Sequence, residues 1–309
     1  MDANDGAPRS GAALLGAIEG GGTKIECALG YSHDRLLERR TVKTLEPAST
    51  LACVSEFFAQ AQQAHGRIQG LGVGFFGPLQ LRPEQPGYGR LLDTPKEGWS
   101  GTDLLGTLSR HIPVPIGIDT DVAAAALAEW TLGAGQGARS VAYITVGTGI
   151  GVGFAPDILR TSRLAHPEGG HLPVRRAPGD EHFPGVCPFH GACLEGLASG
   201  SAIRARWGRQ LQSLPADHEA WRVIGFYLGQ LASTIALLAP VERIIFGGGV
   251  LSAGTLLPYV RAAMRDSLNG YIGALRESAV LARYISAAAL GADAGIAGAF
   301  LMAAAASAD

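Results

Sequence analysis

Charge of one sign is missing from this chain: 25 Lys and Arg stand against 27 Asp and Glu, a formal net charge of −2 over 309 residues. A nucleic acid or an anionic membrane surface calls for a concentrated basic patch, so the balance argues against both and favours small-molecule ligands. Cysteine is scarce as well. Its four residues imply no disulfide framework, and nothing else suggests export. Acidic Asp2 and Asp5 open the chain, and the apolar run Ala12 to Ile18 is stopped by Glu19, so the charged start and cleavage site of a signal peptide are lacking. The other segment that suggests a membrane, Ala294 to Ala306, is too short to span a bilayer and reads as a buried helix. Beyond a polar tail through about Ser10, no linker or low-complexity tract interrupts the chain. The expectation is a cytoplasmic globular protein with no nucleic-acid or membrane partner. With 47% hydrophobic and 17% charged residues it can bury a substantial core in one large or two moderate domains.

What is present is concentrated between Glu168 and Glu195, where His171, Cys187, His190 and Cys193 lie between two carboxylates. Zinc takes a tetrahedral shell of thiolate sulfur and imidazole nitrogen, and Cys187, His190 and Cys193 are spaced so that one tight turn aims three side chains at one point. Gly185, Pro188 and Gly191 supply the bends. His171 is the natural fourth ligand, with His182 in competition. Plainer readings are a surface loop with two free thiols, or a Cys187–Cys193 disulfide, which the lack of export signals disfavours. Cys27 and Cys53 sit in apolar patterns typical of inert buried thiols.

Apolar patterning gives an α/β order. Leu14 to Ile18, the glycines Gly20 to Gly22 and Ile25 to Leu29 read as strand, turn, strand, with a third strand near Leu36 to Val42. A helix over Pro47 to Gln63 and an apolar strand over Leu71 to Phe76 follow, ending at Gly77 and Pro78. Leu79 to Ser100, rich in proline and glycine, reads as irregular and functional. Val114 to Ile118 is a strand, and Asp121 opens an Ala-rich helix to about Leu132. A second strand-turn-strand unit spans Val141 to Phe154 around Gly147, Thr148 and Gly149, so the first motif recurs and a duplicated architecture with a cleft between its halves is expected. The face Ile224, Leu228, Leu231, Ile235 marks a long helix, Ile244 to Phe246 a strand, and Pro258 to Leu268 and Asp293 to Ala306 two further helices.

Three glycine turns and one acidic step carry the candidate chemistry. Glu19, Gly20, Gly21, Gly22, Thr23 and Lys24 combine an approachable backbone with a hydroxyl and an ammonium, as a polyphosphate requires, although Thr precedes Lys and a strand follows, unlike the Walker pattern. Read alone, this motif is as consistent with an ordinary hairpin. Gly147, Thr148 and Gly149 are equally weak alone; together the two turns can hold one nucleotide's phosphates from opposite sides. Gly247, Gly248 and Gly249 end an apolar strand where a base or ribose can lie against the backbone, or form a plain strand-to-helix loop. Asp119, Thr120 and Asp121 join a strand end to a helix start, where α/β proteins place reactive groups; a helix cap there is compatible with such a role.

Together, the Thr23–Lys24 glycine turn, the helix start from Asp119 to Glu129, Gly147 to Gly149, Glu168 to His171, Cys187 to Glu195 and Gly247 to Gly249 resemble the ROK family of sugar kinases and repressors along nearly the whole chain. Gly74 to Pro78, Asp93 to Trp99 and His190 between the two cysteines resemble the family's bacterial zinc-containing fructokinases more than its glucokinases. The resemblance implies an actin-like, hexokinase-type (ribonuclease H-like) fold of two α/β lobes with a zinc-binding loop. Its divisions are expected at 1–10 for the tail, 11–118 and 119–292 for the lobes, 168–195 for the zinc loop, and 293–309 for a C-terminal helix packing back on the first lobe. It implies ATP as cosubstrate, Mg²⁺, structural Zn²⁺, a hexose substrate and a homodimer. By the same analogy Asp121 is the catalytic base. Gly77, Thr120, Glu168, His171 and Glu195 bind the sugar. Gly21, Gly22, Thr23, Lys24, Gly147, Thr148, Gly149, Gly247, Gly248 and Gly249 bind ATP. His171, Cys187, His190 and Cys193 hold zinc, which places His171 rather than His182 in the metal shell. Glu19, where the family often has Asp, orients the magnesium waters. Ala123 replaces a common Asn, and Ala287 to Ala289 replace a proline-containing segment. The implied reaction is ATP-dependent conversion of D-fructose to fructose 6-phosphate. The alternatives are another hexose kinase of the family, acting on glucose, mannose or N-acetylmannosamine, or a sugar-sensing repressor, which would need a DNA-binding segment ahead of Glu19.

Overall fold

The computed structural model describes residues 13–156, 166–251 and 255–308; the tail through Ser10 lies outside them. Two units divide the chain, one running to Asp121 and resuming at Gly295, the other from Val122 to Ala294.

In the first unit β1 (Leu15–Gly20) turns into antiparallel β2 (Lys24–Ser32), and β3 (Arg35–Lys43) follows as the half-exposed edge. Helix α1 (Pro47–His65) starts cleanly because Glu46 accepts hydrogen bonds from the amides of Ala48 and Ser49, and Pro47 stands where an N–H has no partner to lose. Strand β4 (Gly70–Phe75), helix α2 (Leu104–His111) and strand β5 (Ile116–Thr120) follow, and the sheet order is β3-β2-β1-β4-β5 with β1, β4 and β5 parallel. Leu51, Val54, Phe57, Phe58 and Ala61 of α1 cover one face with Leu104 and Leu108 of α2. Cys53 falls off that stripe and is exposed, a correction to its reading as a buried thiol. Cys27 is buried, and burial pushes its thiol up to about 12. The irregular segment after β4 is held by buried Trp99, which packs on Phe75 and Phe76 and donates through Nε1 to the Leu45 carbonyl at 2.8 Å.

Helix α3 (Asp121–Thr131) begins at the unit boundary. The second unit holds the hairpin β6 (Val141–Val146) and β7 (Ile150–Ala155), helices α4 (Leu194–Ala198), α5 (Gly200–Trp207) and α6 (Ala220–Leu238), strand β8 (Arg243–Gly247), helices α7 (Leu257–Leu268) and α8 (Ser278–Tyr284), and strand β9 (Ile285–Ala287). Its order, β7-β6-β8-β9, repeats β2-β1-β4-β5: a hairpin partner, a first strand, then two parallel strands. This is the duplication expected from the paired glycine turns. Helix α6 is apolar and long enough to cross a membrane by length and composition alone. Its Trp221, Ile224, Tyr227, Leu228, Leu231 and Ile235 are buried in the unit's core.

Helix α9 (Ala294–Ala306) belongs, from Gly295 on, to the first unit, where Ile296, Ala299, Phe300 and Ala303 pack on Leu15, Ala17 and Ala28. It lies directly on backbone. A Cβ on Gly70 would stand 2.5 Å from the Ala303 carbonyl oxygen, one on Gly117 2.8 Å from that of Met302, and one on Gly72 would overlap that of Ala299. Glycine at these three positions sets how near the helix comes.

Candidate functional site

Parallel pairing places Gly20 opposite Phe75 and Phe75 opposite Thr120, so the carboxyl ends of β1, β4 and β5 lie side by side. The turn Gly21 to Lys24, Gly77 and the step from Thr120 to Asp121 thus share the edge at which open α/β sheets hold ligands. The turn closes with Gly21 N donating to Lys24 O at 2.8 Å. Buried Thr44 anchors it: its hydroxyl donates to the Gly21 carbonyl at 2.7 Å and its amide to the Thr23 carbonyl at 3.1 Å. Nothing in the sequence singled out Thr44, since a threonine leaving a strand carries no signal of its own. Lys24 Nζ lies 2.8 Å from Glu26, which also accepts from Thr41 and Arg39. Burial alone would raise the Glu26 pKa, but those three donors hold it below the ordinary value. Any phosphate held by Lys24 shares the ammonium with Glu26.

Glu19, next to last in β1, lies on the face covered by α9. Burial first, and the charge of Asp121 second, push its pKa up to about 7. Lys24 and Arg39 offset that rise only in part, and oxygen donors of this kind suit a hard dication such as magnesium. Asp121 opens α3 as expected, and beside it Asp119 Oδ1 accepts from the Thr120 amide at 2.7 Å.

In the second unit Thr145 pairs with Gly247, which sets the turns after β6 and β8 next to each other. Gly147 N donates to Gly149 O at 2.9 Å, and the start of α5 grips the turn through Gly200 N to the Gly147 carbonyl at 2.7 Å and Ser201 Oγ to the Thr148 carbonyl at 2.9 Å. Gly248, with φ 87°, sits where a Cβ would lie 2.5 Å from the Val146 carbonyl oxygen. Gly149 carries a second constraint. Its missing Cβ leaves room for the Glu195 carboxylate, which accepts from the Ile150 amide at 2.8 Å. Glu168 and His171 are brought to the same strand, because Gly169 packs against Val152 and Gly170 against the Ile150 carbonyl, leaving no space for a side chain. His166, absent from the sequence-based set, places Nδ1 3.3 Å from the Glu168 carboxylate, and burial lowers its pKa. Glu168, His171, Glu195 and Gly147 to Gly149 therefore form one assembly around β7.

The four expected zinc ligands converge. His171 Nδ1 lies 3.6 Å from both Cys187 Sγ and Cys193 Sγ, Cys187 Sγ lies 3.7 Å from His190 Nδ1, and all four ligand atoms fall within 4.8 Å of one another. Zinc bonds of about 2.3 Å to sulfur and 2.1 Å to nitrogen, at the tetrahedral angle, put S and N roughly 3.6 Å apart, so the residues fit the ion. His182 is exposed and lies outside the cluster, and both cysteines are free thiols. Burial pushes Cys193 up to about 11, a cost that a bound dication would reverse by favouring thiolate. Around the four side chains the backbone is closely locked: Gly191 N donates to the Cys187 carbonyl at 2.9 Å, Leu194 N to the Leu172 carbonyl at 2.9 Å, and Gly196 abuts the Gly191 carbonyl. Asp180 ties the preceding segment down, accepting from the Tyr227 hydroxyl at 2.6 Å and from Arg206 at 3.0 Å.

Glu129 is fully buried and accepts from the amides of Ala134 at 2.8 Å, Ala289 at 3.1 Å and Leu290 at 2.8 Å. It pins the end of α3 to the segment in which Ala287 to Ala289 stand.

The ROK family model matches residues 15–306. The chain belongs to the ROK family. A fructokinase of Zymomonas mobilis is 42% identical to it over 297 residues, covering 95% of this chain and 97% of the relative. One from Pediococcus pentosaceus is 36% identical, covering 95% and 98%. Among solved structures, the ROK hexokinase of Thermus thermophilus superposes with a TM-score of 0.72 at 27% identity, over 94% of this chain and 98% of that one. The ROK chain therefore has the actin-like fold expected from its motifs, each unit carrying one copy of the repeated sheet.

Proposed function

We propose that this ROK protein phosphorylates D-fructose at the 6-hydroxyl with ATP. The observation that carries the reading is its likeness, end to end, to fructokinases at 36–42% identity, in a chain whose Glu168, His171 and Glu195 are gathered beside a glycine turn.

Phosphoryl transfer asks a protein mainly to position the nucleophile and neutralise developing charge. In the first unit the amides of Gly21 and Gly22, with Thr23 and Lys24, would hold phosphate oxygens, and Asp121 would take the proton of the attacking hydroxyl. Gly77 and Thr120 would contact the sugar. In the second unit Gly147, Thr148 and Gly149 would hold phosphate, Gly247, Gly248 and Gly249 the nucleoside, and Glu168, His171 and Glu195 the sugar hydroxyls. Magnesium, held through water by Glu19, would supply positive charge to the phosphate oxygens. Zinc on His171, Cys187, His190 and Cys193 is a structural ion in this reading: four protein ligands leave no open position, and its work is to fix the His171 and Glu195 segments. A cytoplasmic homodimer completes the proposal.

The testing experiment follows ADP release with a panel of hexoses. A site that hydrogen-bonds particular hydroxyls discriminates by orders of magnitude, so fructose should exceed glucose, mannose and N-acetylmannosamine plainly in kcat/KM. Equal or better efficiency with any of these three would overturn the choice of sugar.

A further inference from the structure

Glycine near the start of a helix needs a reason. It costs roughly 0.5–1 kcal/mol against alanine in a helix interior, and Gly295 has none of the positive φ values that demand glycine. The reason lies on the strand beneath it. A Cβ on Gly295 would stand 2.7 Å from Glu19 Cγ and closer still to Cδ and Oε1. Side chains alternate along a strand, so Glu19 shares its face of β1 with Leu15 and Ala17, the face on which α9 packs. Withdrawing the helix to make room would unseat Ile296, Ala299 and Phe300, which are buried where its backbone sits directly on Gly70, Gly72 and Gly117. On the other side β2 places Glu26 opposite Glu19. The partly buried carboxylate lies between these elements, and residue 295 is the neighbour that carries no side chain.

We infer that Gly295 is a positioning residue for the Glu19 carboxylate, 276 positions away in the chain, and that any side chain at 295 displaces the group that would orient the hydrated cation of the bound nucleotide. The inference rests on the proposed role of Glu19 in the kinase reading. It treats α9 as part of the cation site's construction rather than as a mere cover of the core.

The test compares Gly295→Ala, Glu19→Asp and the double variant, with Mn²⁺ as probe. Mn²⁺ binding in the presence of ADP is read by the electron paramagnetic resonance of the free ion, a measurement independent of turnover. Loss of a group that orients metal ligands typically costs 10–100-fold in affinity, so Gly295→Ala should weaken Mn²⁺ at least about tenfold while the KM for sugar moves little. Shortening the carboxylate by one methylene opens the space, so Glu19→Asp should restore most of the loss in the Gly295→Ala background. If Gly295→Ala fails to fold, recovery of folding in the double variant supports the same contact, and failure of both to fold overturns it. Wild-type Mn²⁺ affinity in Gly295→Ala, or a loss that Glu19→Asp leaves unchanged, also overturns it. A wild-type chain that phosphorylates no sugar yet shows the Mn²⁺ pattern would fault the kinase reading and leave the positioning intact.

Discussion

Replacing Glu129 by glutamine changes one atom's hydrogen-bonding character at a fully buried carboxylate that accepts from three backbone amides. Oε2 accepts from the amides of Ala134 and Ala289, and Oε1 from that of Leu290. The amide can keep one oxygen. Placed at Oε2 it satisfies two donors, and its NH2 group then faces the Leu290 N–H; the opposite orientation leaves two donors facing it. The first arrangement forfeits one hydrogen bond to a carboxylate, worth about 1.5–3 kcal/mol, and buries two donors against each other. The expected loss is therefore about 2–4 kcal/mol, and Glu129→Ala, which strands all three amides and opens a cavity, should lose more. For a folding unit of this size that is roughly 5–15 °C in Tm. Urea unfolding followed by tryptophan fluorescence and circular dichroism measures it, with Trp130 and Trp221 reporting on the same unit. A Glu129→Gln protein within about 0.5 kcal/mol of wild type would refute the claim that this carboxylate fastens α3 to the Ala289–Leu290 segment.

Three further outcomes are expected. Protein purified without chelator should carry one zinc per chain by elemental analysis, and Cys187→Ser should lose most of it and melt earlier, because structural zinc binding is coupled to folding; full zinc in that variant would redraw the ligand set. Asp121→Asn should fold and bind ATP while losing roughly a hundredfold or more in turnover, as loss of a general base does, and near-normal kcat would remove it from that role. Glu19 has a folded pKa raised from 4.5 to about 7, so its contribution to stability is fully present below pH 4.5 and is lost as pH rises through 7, by up to about 3 kcal/mol in metal-stripped protein. Mg²⁺ should consequently raise Tm more at pH 8 than at pH 5, and an unchanged pH slope in Glu19→Gln would contradict this assignment.

Much of the fold was legible because it follows from patterning over several residues. The paired hairpins around Gly21 and Gly147, the stripe of α1 and the long face of α6 all appear where periodicity placed them. Three of the four clustered ligands were legible too, since Cys187, His190 and Cys193 are close in sequence, whereas His171 was separated from His182 only by the family resemblance. Short helices escaped: α4 and α5 meet at Ser199 and Gly200, and neither is long enough to show a repeating face. Cys53 was misplaced although the signal existed, for the buried positions of α1 at 51, 54, 57, 58 and 61 leave 53 on the outer side. Contacts remote in sequence left no trace at all. Glu129 meets Ala289 and Leu290 some 160 positions on, and nothing local marks it as their acceptor. Gly149 and Gly295 read as turn and helix residues until the carboxylates of Glu195 and Glu19 are seen in the space their side chains would take.

In the proposed reaction this ROK protein transfers the γ-phosphate of ATP to the 6-hydroxyl of fructose. Nuclear magnetic resonance of the product made from ATP and carbon-labelled D-fructose tests it in one measurement, because phosphorus coupling identifies the substituted carbon. Coupling is expected at carbon 6. Phosphate on carbon 1, or no sugar phosphate from fructose under conditions where another hexose is consumed, would contradict it.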